Sequence, residues 1–148
     1  DLILGILAAT AAPKFIDLTG DAKESVMKGV EASMESAVSM IHAKAIIAGR
    51  TTGTTTVEVN NVFYRVVNGY PDSNRSGNGS GTTAGNASSI LGLLELDSSA
   101  TGDFIVTNGN PARIQHRSAT GTACRLTYTR SAAVNERPVI DSSELANC

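Results

Sequence analysis

The stretch that decides the fold is residues 2 to 48, LILGILAATAAPKFIDLTGDAKESVMKGVEASMESAVSMIHAKAIIA. Its first part, Leu2 to Ala12, is an apolar run without a charged residue, and we call it the stem. The stem is shorter than the roughly 20 residues that cross a bilayer. It is either an ordinary buried helix end or a segment that its own head domain cannot cover. Eleven residues with no charged face favour the second interpretation.

The rest of this stretch has the periodicity of an amphipathic helix. Apolar residues recur in steps of three and four, which predicts one long helix that ends near Ala48, before the helix-stopping Gly49. Acidic and basic residues between Asp21 and Glu31 repeat at similar spacings and indicate an exposed face. The predicted buried stripe comprises Phe15, Leu18, Ala22, Val26, Val30, Met34, Ala37, Met40, Ile41, Ala45 and Ala48.

Two residues weaken the first part of this helix. Pro13 lacks a backbone donor and crowds the carbonyl of Ala9, so we expect a kink or local melting there. Gly5 weakens the turn before it. The large apolar side chains of the stem are then expected to supply its packing, and these are Leu2, Ile3, Leu4, Ile6 and Leu7.

After Gly49 the composition changes to Thr, Asn, Ser and Gly, which predicts a β-rich head domain. Two short β-rich runs, Thr54–Val59 and Val62–Val67, flank Asn60-Asn61 and predict a hairpin. Residues 72 to 89 predict an exposed loop. Residues 90 to 96 favour a helical turn or a buried strand. Further strands are predicted at 104–107, 112–115 and 125–130, with an edge segment at 138–140. The predicted class is α+β: a long helix (residues 1–50) packed against an antiparallel sheet (residues 51–148).

The cysteines and the charge limit the kinds of function. Cys124 and Cys148 have no His or Cys at metal-ligand spacing, so we expect no metal site, and either one disulfide or two buried thiols. With 12 basic and 14 acidic residues the chain lacks the positive field that nucleic-acid binding needs. No framed nucleophile, phosphate loop or HExxH motif is present, so neither an enzyme nor a cofactor is predicted. His42 is interpreted as a packing or capping residue.

One segment resembles a known family. GILAATAAPKFIDL, from Gly5 to Leu18, is similar to the N-terminal helix of type IV pilins, where an apolar stem runs through a Gly, an Ala-rich stretch and a Pro. SMIHAKAIIAG (39–49), NGYP (68–71) and CRLTYT (124–129) resemble the mannose-sensitive haemagglutinin (MSHA) branch of these pilins. The resemblance implies a pilin-like fold with a C-terminal disulfide loop, and filament-core roles for the large stem residues together with Gly5, Pro13 and Phe15.

The resemblance also implies a function. The subunit would wait in the inner membrane and be drawn by the pilus assembly machinery into an extracellular helical filament used in surface attachment, with carbohydrate or phage as further partners. Family members begin with a methylated aromatic residue and carry a glutamate close behind it. Because the chain begins at Asp1-Leu2-Ile3, either its first residues are absent or the subunit departs from the family at its start. Alternatives are a pseudopilin of a type II secretion system, favoured by calcium at Asp97 and Asp103, and a monomeric membrane-anchored binding domain.

Overall fold

The computed structural model describes the backbone from Leu2 to Cys148 and the side chains from Thr19 to Cys148. A long helix, α1 (Leu2–Ile47), precedes the strands, and a short helix, α2 (Ile90–Leu93), lies between the third and fourth strands. The strands are β1 (Thr54–Val59), β2 (Val62–Val67), β3 (Tyr70–Pro71), β4 (Phe104–Thr107), β5 (Ala112–His116), β6 (Arg125–Thr129) and β7 (Val139–Asp141). Every strand pair in these described residues is antiparallel, and the α+β class is confirmed.

The end of α1 lies where the sequence predicted it. Gly49 has a φ of +68°, which a glycine adopts without strain. Its N–H donates to the carbonyl of Ile46 at 3.1 Å, and the N–H of Arg50 donates to that of Ala45 at 2.8 Å. This pair of bonds is a Schellman motif, which satisfies the carbonyls left free by the last turn of a helix.

The buried face of α1 differs from the predicted stripe. Val30, Met34, Ala37, Ile41 and Ala45 are buried as expected, but Ala22, Val26, Met40 and Ala48 are exposed. Met27 and Val38, outside the predicted stripe, are buried instead. A helix turns about 100° per residue, so each step of four advances 40° around the axis. Residues at steps of four from Ala22 to Met34 therefore pass from the exposed side of the helix to its buried side.

The first sheet has the strand order β1-β2-β3. The hairpin between β1 and β2 is confirmed, with Val59 opposite Val62 across Asn60-Asn61. Both asparagines have positive φ, 51° and 64°, as a type I′ turn requires, and asparagine tolerates that region better than most residues. The two-residue strand β3 was not predicted, because two residues are too short to show a periodicity.

The second sheet has the order β4-β5-β6-β7, so the single predicted sheet is two. Helix α1 packs on both: Met27, Val30, Met34 and Val38 share a core with Ile114, Leu126 and Tyr128, whereas Ile41 and Ala45 meet Val57 and Val66. The segment that follows Pro138 pairs at the edge of this sheet, as predicted. Its bounds are Val139–Asp141.

The loop from Asp72 to Ser89 is only partly the exposed loop that was predicted. Asp72, Ser73, Ser88 and Ser89 are buried at its two ends. The loop also pairs with β2, because Phe63 N–H donates to the carbonyl of Gly81 and Arg65 N–H donates to that of Ser88, both at 2.8 Å. Composition does not reveal such burial, since it depends on what the loop lies against.

The predicted disulfide joins Cys124 and Cys148, with a Cα–Cα distance of 4.5 Å. Cys124 is completely buried and immediately precedes β6, and Cys148 follows a 3-10 helix at Ser143–Asn147. The N–H of Cys124 also donates to the carbonyl of Glu144 at 3.0 Å. The bridge therefore fixes the C-terminal segment against the sheet, in the position predicted for a C-terminal disulfide loop.

Candidate assembly surface

Helix α1 has three distinct faces from Thr19 onward. The first is the buried face that packs on the head. The second is charged, and on it Lys28 and Glu24 form an ion pair at 3.0 Å one turn apart. The third lies away from both, and the eight residues that form it are uncharged, although the exposed Lys44 lies at its border near the end of the helix. We call it the neutral stripe, and it consists of Ala22, Val26, Gly29, Ser33, Ser36, Met40, Ala43 and Ile47.

The neutral stripe alternates steps of four and three over its whole length, so it stays on one side of the helix. All eight of its residues are exposed. Its large side chains leave much of their surface open, with 47% exposure for Val26, 41% for Met40 and 83% for Ile47. Between them are small residues, which allow another backbone to approach closely. The head therefore leaves one apolar side of its own helix uncovered.

A shallow groove borders the middle of this stripe. It has a volume of about 400 Å³ and lies between α1 and α2. Leu93 of α2 forms one wall, and the helix wall is formed by Ala32, Ser33, Ser36, Ala37 and Met40. The side chain of Ser89 caps α2 by accepting a hydrogen bond from Leu91 N–H at 3.2 Å, which helps to place Leu93 here. The groove is thus a continuation of the neutral stripe on the head side.

The amino-acid sequence does not reveal this surface as one feature. Ala22, Val26 and Met40 were assigned to the buried stripe, while Gly29, Ser33 and Ser36 received no role. The pattern that could have identified it is a second series of uncharged residues spaced three and four apart along α1. Spacing alone identifies a face but not whether that face is covered.

The stem predictions fall outside the described side chains. One is the expected kink or local melting at Pro13. The other is the filament-core role predicted for Leu2, Ile3, Leu4, Gly5, Ile6, Leu7, Pro13 and Phe15. Within the part of the chain that the structure describes, no helix has a stretch long and apolar enough to cross a membrane.

Asp72 holds the two sheets together beneath this surface. Its carboxylate is completely buried and pairs with Arg65 Nε on β2 at 2.9 Å. Arg130, just after β6, lies 3.5 Å from the other carboxylate oxygen, which also accepts a hydrogen bond from Asn74 N–H at 3.1 Å. A buried carboxylate needs such compensation, because loss of its water is costly.

His42 fixes the helix to the turn between β2 and β3. Its Nδ1 lies 2.8 Å from the carbonyl oxygen of Gly69, which can only accept, so Nδ1 donates this bond. The imidazole stacks on the ring of Tyr70 with centroids 4.0 Å apart. The guanidinium of Arg137 also lies over the Tyr70 ring, 5.8 Å from its centroid. The imidazole of His42 thus has the packing role that the sequence predicted.

The turn between Asp97 and Asp103 is the place where calcium would favour the pseudopilin. The guanidinium of Arg117 closes this turn. Arg117 donates to the carbonyl oxygens of Gly102 at 2.6 Å, Ser99 at 2.7 Å and Phe104 at 3.1 Å. The Asp97 carboxylate accepts from both N–H and Oγ–H of Ser99, and these bonds lower its pKa. Since calcium binds oxygen ligands, it would compete with Arg117 for these carbonyls. In residues 19–148 no group of three or more His, Cys, Asp or Glu side chains converges on one point.

Comparison with known proteins gives no significant match to a family model, to a curated protein or to a solved structure.

Proposed function

We propose that this chain is a structural subunit that polymerises through α1 into an extracellular filament of the type IV pilus kind, as a major pilin. The observation that carries the proposal is the neutral stripe, which leaves one apolar side of a long helix open along the entire head. The resemblance of Gly5–Leu18 to pilin stems supports it further. The disulfide supports an oxidising compartment outside the cytoplasm.

The physical argument joins the stem to the stripe. An apolar stem and an apolar helix face gain free energy when they leave water, by roughly 25 cal/mol for each Å² buried. Lipid can cover the stem before assembly, and the helices of neighbouring subunits can cover both regions afterwards. If one patch of a subunit packs against a different patch of the next subunit, and the rotation between them does not close a ring, the contact repeats as an open helix. Exposed small residues such as Gly29 and Ser33 suit close packing of such helices.

The first experiment is electron microscopy of material sheared from cells that produce the full-length protein. Ser33→Arg places a charge in the middle of the neutral stripe, whereas Ser39→Arg places the same charge about 120° away, beside the charged face. Both serines are exposed, so neither change disturbs the buried face of the subunit. We expect Ser33→Arg to reduce filament yield at least roughly tenfold, since burial of an unpaired charge costs several kcal/mol.

The control variant Ser39→Arg is expected to form filaments at about the wild-type level. Equal yields for the two variants, with wild-type filaments present, would show that the neutral stripe does not pack against neighbours. Wild-type cells without filaments, the protein remaining in the envelope, would support the pseudopilin or the anchored binding domain. Thin filaments composed of this chain would support the pilin.

A further inference from the structure

Strand β1 has a free edge. In a two-residue hairpin the closing pair, Val59 and Val62, exchanges hydrogen bonds, and every second pair after it does the same. The N–H and C=O groups of Thr54, Thr56 and Glu58 therefore point away from β2. Among residues 19–148, none provides a backbone hydrogen bond to these three positions.

The opposite edge of the same hairpin is covered. Phe63 and Arg65 on β2 pair with Gly81, Ser88 and the N–H of Asp72 through four backbone hydrogen bonds of 2.8 to 2.9 Å. The chain thus uses its long loop to protect one edge of the hairpin and leaves the other open. Natural sheets usually protect such edges with proline, lysine or a bulge. β1 has none of these, and its sequence TTTVEV is rich in β-branched residues.

We infer that β1 is an interaction surface for a second copy of this chain, paired antiparallel β1 to β1 about a two-fold axis at Thr56. In this register Thr56 lies opposite Thr56 of the second copy, and each Thr54 lies opposite a Glu58. The outward N–H and C=O groups then form six hydrogen bonds between the copies, two for each of three pairs. We propose a second copy of this chain as the partner, because the outward N–H and C=O groups of one β1 strand match those of an antiparallel β1 strand.

Charge supports this register. Arg50 Nη1 donates to Thr55 Oγ1 at 2.7 Å, which holds the guanidinium near the start of β1. Glu58 is exposed near the end of the strand. Antiparallel pairing about Thr56 brings the Arg50 of each copy to the end of the interface that holds the second copy's Glu58. Each end of the interface then holds the guanidinium of one copy and the carboxylate of the other, the first held by Thr55 and the second on Glu58, whose side chains leave the strand from opposite faces.

A groove beside the strand offers apolar contact as well. It has a volume of about 380 Å³, is lined by Ile47, Ala48 and Phe63 together with Thr56 and Glu58, and borders Lys44 and Arg50. Two-fold pairing places this groove beside the interface in both copies, and Ile47 belongs both to the groove and to the end of the neutral stripe. Such a contact closes on itself, so it adds a lateral link between two subunits and cannot by itself extend a filament. It goes beyond the proposed function and does not depend on it.

The test is disulfide cross-linking of the full chain, purified in non-ionic detergent micelles, with one added cysteine. In the proposed register the Cα atoms of the two copies' residue 56 lie about 5.5 Å apart, within disulfide range. Those of residue 54 lie about 14 Å apart, because they are offset by four residues along the strand as well as by the distance between the strands. We expect Thr56→Cys to give a covalent dimer under mild oxidation and Thr54→Cys to give at least roughly tenfold less.

A second measurement leaves Thr56 unchanged, so it holds even if the first variant does not fold. Mixing Thr54→Cys protein with Glu58→Cys protein is expected to give a mixed dimer, and peptide mapping should show Cys124–Cys148 intact. Dimers of equal yield from Thr54→Cys and Thr56→Cys, or no dimer in either experiment, would overturn the proposal. Since the cysteine variants change no residue of the stem or of the neutral stripe, loss of filaments and loss of this cross-link are separate results.

Discussion

The hydroxyl of Tyr128 on β6 donates a hydrogen bond of 2.6 Å to the carbonyl oxygen of Pro71 on β3, so one buried side chain joins the two sheets. Tyr128 is completely buried beneath α1 and shares its core with Met34 and Leu126. The bond therefore ties together the two sheets on which α1 packs. The neutral stripe lies on the exposed side of α1.

Tyr128→Phe is expected to lower the free energy of unfolding by about 1–2 kcal/mol, since the buried carbonyl of Pro71 loses its donor. Burial, and then the nearby Asp72 carboxylate, raises the pKa of Tyr128 above its ordinary value of 10.0. The folded state therefore holds this proton more tightly than the unfolded state. Stability from this group is complete below pH 10 and is lost as pH rises towards the raised pKa. Urea unfolding from pH 8 to 11 should show this loss in the wild type and less of it in Tyr128→Phe.

Asp72→Asn should destabilise the fold by about 3 kcal/mol, because it removes one partner of a buried ion pair and leaves Arg65 without its carboxylate. The control is Glu58→Gln, which neutralises an exposed carboxylate on the neighbouring strand and should change stability by less than about 0.5 kcal/mol. Chemical denaturation of the two variants side by side measures the difference. Equal effects would mean that the Asp72 pair contributes nothing beyond surface charge.

Two methionines of one helix test which face is buried. Met34 is 1% exposed and Met40 is 41% exposed. Met34→Ala should cost about 2–5 kcal/mol through loss of core packing, whereas Met40→Ala should cost less than about 1 kcal/mol. Thermal unfolding of the two variants compares them directly. Equally large costs for the two variants would restore the stripe that the sequence predicted, in which both methionines are buried.

Gly29→Ala separates the stability of the subunit from its assembly. A Cβ at Gly29 meets no heavy atom within 4 Å, so the subunit should gain about 0.5–1 kcal/mol of stability from the better helix former. If a neighbouring helix packs against the neutral stripe, the added methyl group lies in that contact, and filament yield should fall. Unfolding experiments and counts of filaments by electron microscopy measure the two effects. A rise in both would indicate that no helix approaches Gly29 closely.

The candidate surface shows where sequence reasoning reached its limit. The charged face was found from charge spacing, and Glu24 and Lys28 pair as expected. The uncovered face was not found, because Val26 and Met40 have the same spacing and hydrophobicity as core residues. Only the position of the head decides that Met27 and Val38 are covered and that their neighbours are not.

What the sequence determined by itself is the local structure of the chain. Gly49 ends α1, Asn60-Asn61 turns the hairpin, and the β-rich runs become strands, because each depends on backbone preferences within a few residues. The two isolated cysteines also predicted the disulfide. The tertiary structure decided which face of α1 is buried, the division into two sheets, the burial of Asp72 and the open edge of β1. These depend on contacts between residues distant in sequence, such as Tyr128 with Pro71, and on the desolvation that follows from them.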